Sequence, residues 1–299
     1  MTRTVAVVGA PSNLGARPYD DGQPRALDYA PTVLRERGLV SRLGAVDLGD
    51  VVPPPYEDVV RPVDRPRNER GVGIYSNRLA ERVAAAVRRH FVVVIGGDCS
   101  IALGCLRGVR RSMRGAIGLV YVDAHADFAT ADESSTGSMA GMSLSLALGR
   151  AQLRGFDRRP LVNGEHVALL GRRDAVENAA DFDRASLLDV SNAELLAKSP
   201  DQVIDAVLTR VAADAVEGFW IQLDVDVINP VAMRAVESPS AGGLSPRQLV
   251  DLLTPIVQHP RALGLSITTY DPALDADRSA ARQLARLIEV LVAAPRERV

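Results

Sequence analysis

Short runs of β-branched and other apolar residues alternate with amphipathic stretches along the whole chain. The runs Val5–Val8, Ala45–Leu48, Phe91–Ile95, Ile117–Val122, His166–Leu170, Phe219–Leu223 and Leu263–Ile267 predict strands. Several are continuously apolar, as expected of strands covered on both faces. Between them, apolar residues recur at three and four over Asn77–Arg89, Ala102–Arg111, Met142–Leu148, Pro200–Ala215, Pro246–Val257 and Arg278–Ala294, which predicts helices. The alternation predicts an α/β fold, a parallel sheet wrapped in helices. The segments Gly15–Arg25 and Val51–Arg70 read as long surface loops, and neither is flanked by a shift in composition. One domain over residues 1–299 is therefore expected.

Composition narrows the function classes. With 35 basic against 37 acidic side chains, no global field favours nucleic acid or an anionic membrane. No apolar run reaches the roughly 18 residues of a membrane span, and Met1–Pro11 lacks the long apolar core of a signal peptide, so a cytoplasmic location is expected. Two cysteines, Cys99 and Cys105, make no disulfide framework. The expected partners are a small-molecule substrate and further copies of the chain, with no nucleic acid and no membrane.

In an open parallel sheet, ligands bind beyond the carboxyl ends of the strands. Three predicted strands end in polar clusters: Gly96-Gly97-Asp98-Cys99-Ser100, Asp123-Ala124-His125-Ala126-Asp127 and Asp224-Val225-Asp226. Alternate positions project to one side of an extended chain, so Asp123, His125 and Asp127 can converge, as can Asp224 and Asp226. Either piece alone reads more simply as a helix cap or a satisfied core histidine. Together they gather four carboxylates, whose repulsion calls for bound cation. An oxygen-rich set with one imidazole suits Mn²⁺, and the number of donors suits two bridged ions with a hydroxide between them as nucleophile.

These motifs, with Pro230 and Gly242-Gly243-Leu244-Ser245, closely resemble in order and spacing those of the ureohydrolase superfamily of arginases, agmatinases and formimidoylglutamases. The resemblance covers nearly the whole chain. It implies a three-layer α/β/α sandwich with a mostly parallel central sheet. It also implies two Mn²⁺ ions that direct a hydroxide at a guanidinium or formimino carbon. Carried over, it makes Asp123 and Asp224 bridging ligands, places Asp127 on the first metal with a catalytic role, and places His125 and Asp226 on the second.

The departures lie elsewhere. Cys99 stands where the family has a metal-binding histidine. It is either a thiolate ligand, making that site more receptive to Zn²⁺ or Fe²⁺, or a small buried residue filling space. Ala140 replaces a histidine the family uses as a proton shuttle, and Thr269 stands where arginases carry a glutamate for the substrate guanidinium. Thr269 and Glu237 are the candidate substrate contacts, and Glu133 and Tyr270 lie in segments able to line the same pocket. The expected activity is metal-dependent hydrolysis of a C–N bond in a guanidino, amidino or formimino compound, with arginine a poor substrate. The alternative is a catalytically degenerate relative serving as a binding or assembly partner. A nucleotide-binding protein ranks last, because Gly96-Gly97 lacks the spaced glycines of a phosphate loop.

Overall fold

Eight strands form one all-parallel sheet in the order β2-β1-β3-β8-β7-β4-β5-β6. The computed structural model describes residues 4–154, 159–176 and 178–293. The strands are β1 (Thr4–Gly9), β2 (Val46–Asp50), β3 (His90–Ile95), β4 (Ala116–Val122), β5 (Val167–Leu170), β6 (Leu188–Val190), β7 (Val216–Asp224) and β8 (Ala262–Thr268). The helices are α1 (Ala30–Glu36), α2 (Leu39–Arg42), α3 (Glu69–Ala86), α4 (Ile101–Ser112), α5 (Ser143–Ala147), α6 (Ala179–Arg184), α7 (Asn192–Ala197), α8 (Pro200–Val211), α9 (Pro246–Val257) and α10 (Ser279–Val292).

The central strands are buried on both faces, which explains their uninterrupted apolar runs: Val92, Val93, Val94 and Ile95 of β3 are all fully enclosed. Alternate residues feed two cores. Val93 and Ile95 join the layer formed with α1, α8, α9 and α10, while Val92 and Val94 join the layer formed with α3 and α4. Chain punctuation fixes the helix starts: α8 and α9 each begin with Ser-Pro, closed by a reciprocal Ser–Gln capping box.

All seven expected strands form, with ends displaced by up to three residues; the expected helices form as well, α9 with the bounds anticipated. Helix α3 starts eight residues earlier than its apolar period suggests, and α8 stops at Val211, four residues short of Ala215. The end of the last expected helix, Ala294, lies outside the described residues. Three-residue β6 and the short α1, α2, α6 and α7 escaped the pattern because each is shorter than the window over which a period shows. Among the described residues no helix is long and apolar enough to cross a membrane.

The row β3-β8-β7-β4 places four strand ends side by side. Asp98 and Cys99 follow β3, Thr268 closes β8, Asp224 closes β7 and Asp123 follows β4. The turn after β3 requires glycine: Gly97 has φ of +85°, and a Cβ there would stand 2.8 Å from the Ala10 carbonyl oxygen. Lower in the sheet, a Cβ on Gly264 would lie 2.4 Å from both the Trp220 ring and the Val92 carbonyl oxygen. Gly264→Ala is therefore expected to destabilise the protein by about 1–3 kcal/mol through overpacking, read by urea unfolding. Gly141→Ala, where nothing lies within 4 Å of the added carbon, is its matched control; equal stability of the two variants would contradict this packing account.

Candidate metal centre

Four aspartates at and just after the ends of β4 and β7 are buried: Asp123, Asp127, Asp224 and Asp226 are 1%, 8%, 2% and 2% exposed. Backbone amides hold three of them in place, Asp226 Oδ1 accepting from the Ala124 amide at 3.1 Å. Asp123 Oδ1 accepts from the His125 amide at 2.7 Å, and Asp224 Oδ1 accepts from the Asp226 amide at 2.8 Å. These turns bring the alternate carboxylates back over the sheet edge.

Two donor groups result, Cys99–Asp123–Asp224 and Asp123–His125–Asp226, the ligand atoms within each lying within 4.8 Å of one another. They share Asp123. His125 Nδ1 is 2.9 Å from Asp226 Oδ2 and 3.5 Å from Asp123 Oδ1. Cys99 Sγ donates to Asp224 Oδ2 at 2.8 Å and stands 3.9 Å from Asp123 Oδ2. Asp127 is outside both groups: its backbone is left-handed, with φ of 47°, and its Oδ2 accepts the Tyr121 hydroxyl at 2.5 Å. Thr269, also left-handed at φ 68°, donates its hydroxyl to Asp224 Oδ1. Cys99 and Thr269 thus grip opposite oxygens of one carboxylate.

Electrostatics report a site short of positive charge. Burial, and then the charge of Asp226, push Asp123 up to about 7. Burial, then Asp226 and Asp123, raise Asp224 well above the carboxylate range, and burial with Asp123 does the same to Asp127. Burial disfavours the His125 imidazolium, but hydrogen bonds to Asp123 and Asp226 outweigh it and carry His125 up to about 12. Burial and the surrounding aspartates keep Cys99 a thiol. The donor set, buried, mostly oxygen and crowded with like charge, fits divalent ions.

Above these groups opens a cavity of about 300 Å³. Its floor includes Cys99, His125, Asp127, Asp224 and Asp226, and its walls include Arg17, Arg25, Ala140, Asp174 and Glu237. The segment Gly15–Arg25, expected as a surface loop, folds over the site. Buried Asp98 accepts the Gly15 amide at 3.0 Å, and Asp271 accepts the Tyr19 hydroxyl at 2.8 Å and the Ala26 amide at 3.2 Å. Arg25 is 6% exposed, pairs through Nε with Glu237 at 2.8 Å and lies 4.2 Å over the Tyr19 ring.

The structure brings Cys99, Asp123, His125, Asp127, Asp224, Asp226 and Glu237 to one place, with Thr269 beneath Asp224 rather than on the cavity wall. Glu133 and Tyr270 do not reach it: Glu133 pairs with Arg150, and buried Tyr270 donates to Asp275 at 2.7 Å. Sequence reasoning passed over Arg25 and Asp174. Asp174 follows β5, another strand end, so the rule that found the other carboxylates could have found it; its Oδ2 accepts the Ala126 amide at 3.2 Å. Nothing local marks Arg25, which reaches the site only because its loop folds back.

A family model described as "Arginase family" matches residues 3–293. The chain belongs to the arginase family. It is 30% identical over 265 residues to an arginase of Bacillus caldovelox, a match covering 82% of this chain and 83% of that one. The native structure of Bacillus caldovelox arginase superposes with a TM-score of 0.86 at 27% identity, covering 98% of this chain and 99% of that one. Formimidoylglutamase of Bacillus subtilis shares the fold, with a TM-score of 0.77 at 18% identity over 97% of this chain and 86% of its own. The family membership expected from the motifs is established, and the central sheet, expected to be mostly parallel, is parallel throughout.

The raised groups set the pH dependence of the metal-free protein. Between about 4 and about 7 the folded chain holds protons on Asp123 that unfolded carboxylates have lost, so stability falls as pH rises through that window. His125 has the same sign: its contribution is complete below about 6.5 and declines as pH rises towards 12. Tm with chelator is expected to fall between about pH 5 and pH 8. Added Mn²⁺ is expected to offset the fall, since its ligands bind deprotonated. Thermal denaturation across that range checks this, and a Tm that climbs with pH in chelator would contradict it.

Proposed function

We propose that this chain is a metal-dependent hydrolase that cleaves a C–N bond in a guanidino, amidino or formimino small molecule. The observation that carries the reading is the pair of donor groups sharing Asp123 at the floor of a cavity. The residues that would hold two divalent ions, Mn²⁺ foremost, are Cys99, Asp123, Asp127 and Asp224 on one side and Asp123, His125, Asp224 and Asp226 on the other. When bound, such ions supply Lewis acidity and an activated water.

The chain's own groups do the rest. Ser240 Oγ, 3.3 Å from His125 Nε2, orients the ring from its other nitrogen, and Tyr121 fixes Asp127 through Oδ2, leaving Asp127 Oδ1 to carry a proton between attacking water and departing nitrogen. Burial, which favours the protonated carboxyl of Asp127, supports that role. Glu237 is the acidic wall residue nearest in character to a guanidinium contact, yet Arg25 already neutralises it. Thr269 brings no charge, and its hydroxyl is engaged by Asp224. A cationic head group therefore finds no uncommitted acid at these two positions.

Inductively coupled plasma analysis is expected to find about two divalent ions per chain. Asp224→Asn, which removes a shared ligand without changing shape, is expected to lower metal content and abolish turnover. At most one ion and no hydrolysis across a panel of guanidino, amidino and formimino compounds would favour the binding-partner alternative, to which Cys99, Ala140 and Thr269 lend weight. L-Arginine and agmatine are expected to be hydrolysed at least roughly thirty-fold less efficiently than the preferred substrate, since a buried charge without its partner costs about 2–5 kcal/mol. Urea release from arginine matching the best compound in the panel would overturn this.

A further inference from the structure

On the face of the sheet beneath the metal centre, β7 and β8 carry a file of buried polar side chains. Strand register pairs Trp220 with Gly264, Gln222 with Ser266 and Asp224 with Thr268, and alternation puts all six on one side. Gly264 leaves the space the indole occupies. Trp220, Gln222, Ser266 and Thr268 are at most 1% exposed, so each polar atom must find its partner inside the protein.

The direction of the hydrogen bonds follows from the first member. An indole N–H can only donate, and Trp220 Nε1 donates to Ser266 Oγ at 2.8 Å. Ser266 in turn donates to Gln222 Oε1, which turns the amide so that Nε2 donates to Thr268 Oγ1 at 2.7 Å. Thr268 Oγ1, having accepted there, has one proton to give. It faces Leu223 O at 3.4 Å, long for an O–H···O bond, and Cys99 Sγ at 3.5 Å, an ordinary reach for sulfur. The file therefore runs one way, from the indole to the thiol, and ends by presenting a donor to Cys99.

We propose that Thr268, oriented through Gln222 and Ser266 by Trp220, is a positioning residue that holds Cys99 Sγ as a metal ligand. A sulfur that accepts the Thr268 hydroxyl is turned towards Asp224 and Asp123, the two carboxylates of its donor group. As a thiolate it keeps that same hydrogen bond. The file thus gives Cys99 the kind of outer partner that metal-bound side chains need for orientation. This rests on the reading of Cys99 as a ligand.

The test titrates the full chain with Co²⁺ and follows the near-ultraviolet thiolate-to-cobalt charge-transfer band, with Cys99→Ser as reference. The native protein is expected to show the band and Cys99→Ser to lack it. Thr268→Val is expected to raise the Co²⁺ Kd of the band-forming site by about 10–100-fold and shift the band, and Thr268→Ser, which restores the hydroxyl, to recover both. Ser266→Ala, which touches no ligand, is expected to weaken the site several-fold, and it keeps the test open if Thr268→Val fails to fold. A native band that ignores Thr268→Val and Ser266→Ala overturns the positioning role alone. A native protein without the band removes the ligand reading of Cys99 and the positioning role with it.

Discussion

Four buried aspartates at adjacent strand ends are the constraint around which this molecule is arranged. Packed beside one another out of water, Asp123, Asp127, Asp224 and Asp226 cannot all carry charge without compensation. His125 supplies positive charge among them, 2.9 Å from Asp226 and 3.5 Å from Asp123, and burial favours the protonated form of Asp123. The glycine turn after β3, the amide hydrogen bonds within each Asp-x-Asp or Asp-x-His turn, and the loop anchored by Asp98 and Asp271 all serve to hold these carboxylates where a cation can reach them.

The departures from the family pattern are not scattered. Cys99 and Thr269 meet at Asp224, one on each carboxylate oxygen. The half of the site built from Asp123, His125 and Asp226 keeps the residues implied by the family resemblance, while the half facing Cys99 has exchanged an imidazole for sulfur. The polar file on β7 and β8 reaches the altered half and no other.

The cavity shows a similar economy of charge. Arg25 and Glu237 neutralise one another on its wall, both nearly shut off from water, and the stacking of Arg25 on Tyr19 fixes the guanidinium plane. Asp174 Oδ1, buried without a hydrogen-bond partner, is the acid that this pairing leaves free on the wall.

The parallel sheet, its strand ends and the carboxylates of the Asp-x-His and Asp-x-Asp turns were legible in the sequence, while Asp174 was not picked out. Continuous apolar runs and strand-end positions are local properties, and alternate spacing within Asp123-Ala124-His125 or Asp224-Val225-Asp226 survives folding unchanged. Short elements such as β6 and α7 were illegible because a period needs more residues than they have. Tertiary structure alone decided which groups face each other across strands. Cys99 touches Thr268 and Asp224, far away along the chain, only because β8 lies between β3 and β7. Arg25 enters the site only because a loop with no apolar period is tied down by Asp98 and Asp271. Strand order and loop closure depend on contacts between distant residues, which no local pattern encodes.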